Sequence, residues 1–296
     1  MKKALTIASA ALMLAACGNK EKEFDAMGTF EATEVTVYAE QNGALLTLSV
    51  NEGDDVQSGK EVGLIDTTQI WLKMQQADAT KEVYRSQKPD IEAQIAATRQ
   101  QLAKARQEQQ RYQELVGDGA APSKMLDDAR NQVQVLQRQL EAQVSALGTT
   151  SKSLDKQMAA ADVQVQQLSD QLRKCHISAP IDGTVLEKYA EQGEFVTTGK
   201  PLFKMADAKN MYIRAYITTQ QLQNIKIGQA ATVMADYGDG NRKSYEGKVT
   251  WIASRSEFTP KTILTDDERA DQVYAIKVAV KNDGYIKIGM YGEVKF

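Results

Sequence analysis

One internal repeat, split by a long insertion, constrains this chain more than any other feature. Gly43-Ala44-Leu45-Leu46 matches Gly183-Thr184-Val185-Leu186 at an offset of 140, and the same offset relates Gly53 to Gly193, Val56 to Val196 and Gly59-Lys60 to Gly199-Lys200. Each copy reads as strand, glycine turn, short strand, glycine turn, strand, with glycines supplying the φ > 0 positions of tight turns. Alternation at Val35, Val37 and at Leu46, Leu48, Val50 fits half-buried strands. One copy of roughly 35 residues is too small to bury a core. Two copies face to face can do so.

The insertion has a different period. Apolar or small residues recur every seventh position at Leu126, Val133, Leu140, Leu147, Leu154, Ala161, Leu168 and Cys175, with companions at Ala129, Leu136, Val144, Met158, Val165 and Leu172. Ile91, Ile95, Leu102, Ala105, Tyr112 and Val116 keep the same spacing upstream. Sustained heptads predict a coiled coil. Gly117-Asp118-Gly119-Ala120-Ala121-Pro122-Ser123 interrupts them, with glycines to end one helix and Pro-Ser to open the next. The insertion is thus predicted to be an antiparallel helical hairpin. Arms of ~45 residues would project about 65 Å. Pro89 should interrupt the first arm near its base, and Gly148-Thr149-Thr150 is a softer place in the second.

The chain opens with Met1-Lys2-Lys3 and an apolar stretch over 4–16, too short for a bilayer span of ~20 residues. It reads as a secretory signal. Its end, Leu14-Ala15-Ala16-Cys17, resembles a bacterial lipobox, in which the cysteine is acylated before cleavage. One acylated terminus anchors a protein without crossing the membrane, and Gly18-Asn19-Lys20-Glu21-Lys22-Glu23 reads as a polar tether.

Composition excludes several functions. One His and two Cys in 296 residues leave no multi-His metal centre, zinc finger or disulfide framework. A net charge of −3 with no basic stripe disfavours nucleic acid. Gln is heavily used, and 20 of its 29 occurrences fall between Gln75 and Gln171. These amides suit a hydrated outer helix face able to hydrogen-bond across an assembly, or simply serve as neutral helix formers. Cys175-His176 pairs two soft ligands, but Cys175 falls on the heptad seam and is expected to be buried. Asp54-Asp55 and Asp266-Asp267-Glu268 lack EF-hand spacing, and Gly238-Asp239-Gly240-Asn241 reads as a hairpin turn. Trp71 and Trp251 are taken as core or boundary aromatics.

The two-fold sandwich resembles a biotinyl/lipoyl domain. A carrier lysine would belong at the junction of the halves, which the insertion occupies; Lys60 and Lys200 sit in other turns. Split lipoyl halves around a coiled-coil hairpin, behind a lipobox, resemble the periplasmic adaptor (membrane fusion protein, HlyD-like) family of bacterial tripartite efflux and secretion systems. Ile177-Ser178-Ala179-Pro180-Ile181-Asp182-Gly183-Thr184-Val185 carries the resemblance most specifically, continuing through Glu191-Gln192-Gly193-Glu194-Phe195-Val196 and Gly199-Lys200-Pro201-Leu202. Ile213-Arg214-Ala215-Tyr216-Ile217, Tyr245-Glu246-Gly247-Lys248-Val249 and Gly289-Met290-Tyr291-Gly292-Glu293-Val294 are similar to strands of the family's β-barrel. Glu257-Phe258-Thr259-Pro260-Lys261 with Asp266-Asp267-Glu268-Arg269 is similar to adaptors of ABC-type exporters.

The resemblance implies an elongated α+β protein: split lipoyl β-sandwich, antiparallel coiled-coil α-hairpin and antiparallel β-barrel. Its divisions would be a signal peptide at 1–16, a lipidated tether and lead-in at 17–32, and lipoyl halves at 33–70 and 176–208. The hairpin would occupy 71–175, with its tip at about 116–123, and the barrel 209–296. It further implies a non-enzymatic, cofactor-free, homo-oligomeric adaptor, hexameric as in the family. Such a protein is anchored by Cys17, most simply to the inner membrane, and links an exporter to a TolC-like outer-membrane channel. Family tips carry Arg, Leu four positions on, and Ser or Thr about eleven on; Arg111 and Leu115 match, while Ser123 stands one position late and Pro122 takes the hydroxyl's place. The lack of a long segment after the barrel favours an ABC-type exporter over a resistance-nodulation-division pump. A tethering coiled-coil lipoprotein without a transporter is the reading from another class.

Overall fold

The computed structural model describes residues 24–238, 241–258 and 272–296. The lipobox at Cys17, the middle of the Gly238–Asn241 turn and the 266–269 stretch lie outside them. The first strands are β1 (Ala26–Glu31), β2 (Glu34–Tyr38), β3 (Gly43–Leu48), β4 (Asp55–Val56) and β5 (Glu61–Ile65). Helices α1 (Thr68–Ser86), α2 (Ile91–Gly117) and α3 (Ser123–Arg173) follow. Then come β6 (His176–Ser178), β7 (Gly183–Lys188), β8 (Phe195–Val196), β9 (Pro201–Ala206) and β10 (Asn210–Thr218). The remainder comprises α4 (Thr219–Leu222), β11 (Ala230–Asp236), β12 (Arg242–Ile252), β13 (Glu257–Phe258), β14 (Gln272–Lys281) and β15 (Tyr291–Lys295). Two compact units result: the segments up to Leu64 and from Ile177 onward together, and Ile65–His176 between them in sequence.

In the first unit, the repeat copies exchange strands. One four-stranded sheet has the order β2-β9-β7-β4 and the other β6-β5-β3-β8, so each sheet takes two strands from each copy. The offset of 140 carries one order onto the other, which is the two-fold expected from the sequence. Leu45, Val62, Val185, Leu202, Phe203 and Met205 are buried there. Joined to this sandwich is a closed, wholly antiparallel barrel, β1-β10-β14-β12-β11-β15, sealed by β1–β15 pairing. Inward positions alternate along β10, where Met211, Ile213, Ala215 and Ile217 are buried, and meet Phe30, Val233, Ile276, Val278 and Val294. Residues 26–31, read from sequence as lead-in, are therefore a barrel strand between β10 and β15. No repeat partner or neighbouring hairpin announces β1, because both of its ladders join residues more than 180 positions away.

In the second unit, α1 and α2 run antiparallel to α3, whose 51 residues span about 77 Å. The chain breaks between α1 and α2 around Pro89, where Asp90 adopts an extended conformation and its carboxylate accepts the Ala93 N–H. Ile95 and Leu102 of α2 and Leu126, Leu136, Leu154 and Leu168 of α3 are the buried seam leucines and isoleucine. Helix α1 buries no residue fully, and ion pairs Lys81–Asp162 (2.5 Å) and Lys88–Asp155 (2.9 Å) tie the upstream segment to α3. The Gly148-Thr149-Thr150 segment is unbroken helix. The two threonine hydroxyls donate to the Ser145 and Ala146 carbonyls at 2.9 and 3.1 Å.

Candidate functional site: the hairpin tip

Helix α2 ends in a complete Schellman motif. The Asp118 N–H reaches the Glu114 carbonyl, Gly119 adopts φ +69°, its N–H donates to the Val116 carbonyl at 3.1 Å, and the Ala120 N–H donates to the Leu115 carbonyl at 2.8 Å. Pro122, extended at φ −67° and ψ 140°, caps α3 without a side-chain bond. Gly119 and Pro122 thus turn the chain in five residues with most of the freed carbonyls satisfied.

The turn leaves four side chains at least partly at the surface of the hairpin end. Arg111 is exposed, 3.3 Å from the Glu108 carboxylate and 5.2 Å above the Tyr112 ring, which keeps its guanidinium extended along α2. Leu115, one turn further on, is half-buried. Met125, which the sequence reading passed over, is 45% exposed in the first turn of α3. Its signal was present: Leu126 takes the heptad position, which turns its neighbour Met125 off the seam. Ser123 is the first residue of α3 and is exposed. The structure therefore brings Arg111 and Leu115 onto consecutive turns of one helix and puts Ser123 across the loop. A charged group, an aliphatic one and a pliable thioether form a surface suited to docking against other helices.

The lipoyl glycines divide into two kinds. Gly53, Gly59, Gly193 and Gly199 have φ of +91°, +78°, +92° and +87°, and each occupies the third position of a β-turn. Their N–H groups all cross between the copies at 2.8 Å, to Val185, Ala179, Leu45 and Ala39 carbonyls respectively. Gly43 and Gly183 instead open strands β3 and β7. Gly183 is required by contact: a Cβ there would lie 2.3 Å from the Ala206 carbonyl oxygen. Lys200 pairs with Glu194 at 2.6 Å, a hydrogen bond that holds the Glu194 carboxyl below its usual range.

Cys175 is buried, its thiol 3.4 Å from the Gln171 carbonyl, and burial, then the Asp66 charge, pushes its pKa up. A thiol so placed is a packing group. No cluster of three or more His, Cys, Asp or Glu able to hold a metal occurs among the described residues. No helix among them is long and apolar enough to cross a membrane.

A two-fold sandwich interrupted by an α-hairpin and continued by a six-stranded barrel is the build of a periplasmic adaptor. Residues 33–207 match the family model described as the RND MFP barrel-sandwich hybrid domain, so the chain belongs to that membrane fusion protein family. A UPF0194 membrane protein of Acidithiobacillus ferridurans is 28% identical over 91% of this chain and 86% of its own length; one from Citrobacter koseri is 27% identical over 98% and 96%. Among solved structures, MacA from Actinobacillus actinomycetemcomitans superposes with a TM-score of 0.56 at 23% identity, covering 91% of this chain and 76% of that one. A MacA-MexA chimera bearing the Pseudomonas aeruginosa MexA α-hairpin gives 0.53 at 25% identity, with 94% and 82% covered. These likenesses bear on the fold.

Proposed function

We propose that this chain is a lipid-anchored adaptor that couples an inner-membrane exporter of ABC type to a TolC-like outer-membrane channel, docking on the channel through the hairpin tip. The observation that carries the reading is the tip itself: a rigid Schellman turn presenting Arg111, Leu115 and Met125 on a helix end in a chain of the adaptor family. Resemblance of the 257–261 and 266–269 segments to ABC-exporter adaptors favours that exporter class. Acylation of Cys17 would supply the anchor, with homo-oligomerisation, as a hexamer, building the conduit; neither a cofactor nor nucleic acid enters the scheme. The family model's description favours a second reading, an adaptor of a resistance-nodulation-division pump.

Cross-linking in intact cells, followed by affinity capture from solubilised membranes, tests the scheme by naming the transporter and the channel. Recovery of an ABC permease with an outer-membrane channel is the expected result; recovery of a resistance-nodulation-division pump transfers the adaptor to the second reading. Leu115→Asp should abolish export while protein level, membrane flotation and melting stay normal. Unchanged export by that variant removes the tip from the docking site. Cys17→Ala should release the protein from membranes.

A further inference from the structure

The geometry points to a second membrane contact, in which the Lys226–Gln229 turn of the barrel rests in the headgroup layer of an anionic lipid surface. This inference rests on the acyl anchor at Cys17 proposed above. Seven backbone steps, across the six residues 18–23, separate Cys17 from Phe24, where the described chain begins. Fully extended they reach no more than about 25 Å, so whatever surrounds Phe24 is held close to the bilayer.

What surrounds it is one end of the barrel. The Asp25 N–H donates to Val294, the Phe296 N–H donates to the Asp25 carboxylate, and the Gln221 amide of α4 donates to the Asp25 carbonyl at 2.6 Å. From α4 the chain passes buried Ile225 into a β-turn in which the Gln229 N–H returns to the Lys226 carbonyl at 3.1 Å. Gly228 sits third, at φ +90°, and its N–H is fixed to the Val249 carbonyl at 2.8 Å. Ile227 is consequently the apex of a rigid turn, and it is 67% exposed. Lys226 opens the turn, and the Lys248 stem lies beside it, 3.8 Å from a Cβ built on Gly228. Between Thr218 and Ala230 there is no acidic residue. An aliphatic tip between two ammonium groups matches the boundary of acyl chains and anionic headgroups.

The barrel holds its own control. Lys287-Ile288-Gly289-Met290 is the same kind of turn, with Gly289 at φ +83° and the Met290 N–H on the Lys287 carbonyl. It lies at the other end of β1, where the Gly289 N–H donates to the Phe30 carbonyl. Ile227→Cys and Ile288→Cys in the full-length lipidated protein, each labelled with an environment-sensitive nitrobenzoxadiazole probe, would be reconstituted into vesicles of phosphatidylethanolamine and phosphatidylglycerol. Buried Cys175 should not label. At position 227 we expect a blue-shifted emission of several-fold higher intensity on the vesicles than in detergent-free buffer, absent at 288, and a clear loss with Lys226→Gln/Lys248→Gln or in phosphatidylcholine alone. Protein that floats with vesicles while the two probes report the same aqueous surroundings overturns the contact and leaves the anchor standing. Protein that does not float overturns both.

Discussion

Gly119 closes the hairpin, and a β-carbon at φ +69° meets strain although the surrounding space is open. Gly119→Ala should therefore lower stability by about 1 kcal/mol, seen as a shifted urea midpoint for the helical transition, and should weaken export in step with any loosening of the tip. Gly183 fails for a different reason: its added methyl would press on the Ala206 backbone between two strands, so Gly183→Ala should cost about 1–3 kcal/mol. Cys175 should resist alkylation in the folded protein and react on unfolding, timed by mass spectrometry. The repeat spacing made the four left-handed lipoyl glycines legible because only that residue tolerates the conformation. Gly183 was singled out for the wrong cause, since a close approach between strands distant in sequence leaves no local signature. At the tip, Arg111 and Leu115 answer to the spacing of the family resemblance, whereas the exposure of Met125 follows only once Leu126 is known to occupy the seam.

At the scale of elements, the heptads translate into a helical ladder whose strength lies in a few buried residues. Ile95→Ala should cost about 2–4 kcal/mol, because its side chain is 2% exposed on the seam; the matching change at exposed Val135 should be nearly silent. The barrel rim offers a pH-dependent contact. Lys243 hydrogen-bonds Asp283, with the Tyr285 N–H adding to it, and this holds the Asp283 carboxyl below its usual range. A depressed carboxyl stabilises the fold at pH above its unfolded value and loses that contribution as pH falls through the folded one. The melting difference between the wild type and Asp283→Asn should thus be present at pH 7 and shrink below about pH 4. Period-seven and period-two patterns were readable because each element shows its own face to one neighbour. Strand β1 was not, since its six residues take their place only when β10 and β15 close the barrel around them.

Considered whole, the molecule is a continuous idea interrupted in sequence: every ladder of the β2-β9-β7-β4 sheet beyond β7–β9 joins residues from before the hairpin to residues after it. The sandwich cannot form until both copies have been made, so its folding depends on closing a loop of more than one hundred residues. That closure grows only slowly in cost with loop length, and the antiparallel hairpin shortens it further by bringing its own ends together. Strands β5 and β6 leave the sandwich side by side, with the Gly59 N–H on Ala179, the Ala179 N–H on Lys60 and the Ile65 N–H on Cys175. Adjacent antiparallel strands accept a two-residue turn. Replacing residues 66–174 by Asn-Gly, from Ile65 to Cys175, should therefore leave a sandwich and barrel that melt cooperatively and show dispersed amide resonances. Its melting temperature should not fall, since the excised loop only burdens the unfolded-to-folded closure. In cells the shortened protein should reach wild-type levels, float with membranes through Cys17 and support no export. A shortened chain that fails to fold would mean that the hairpin supplies structure to the sandwich, and a shortened chain that still exports would separate transport from the tip altogether.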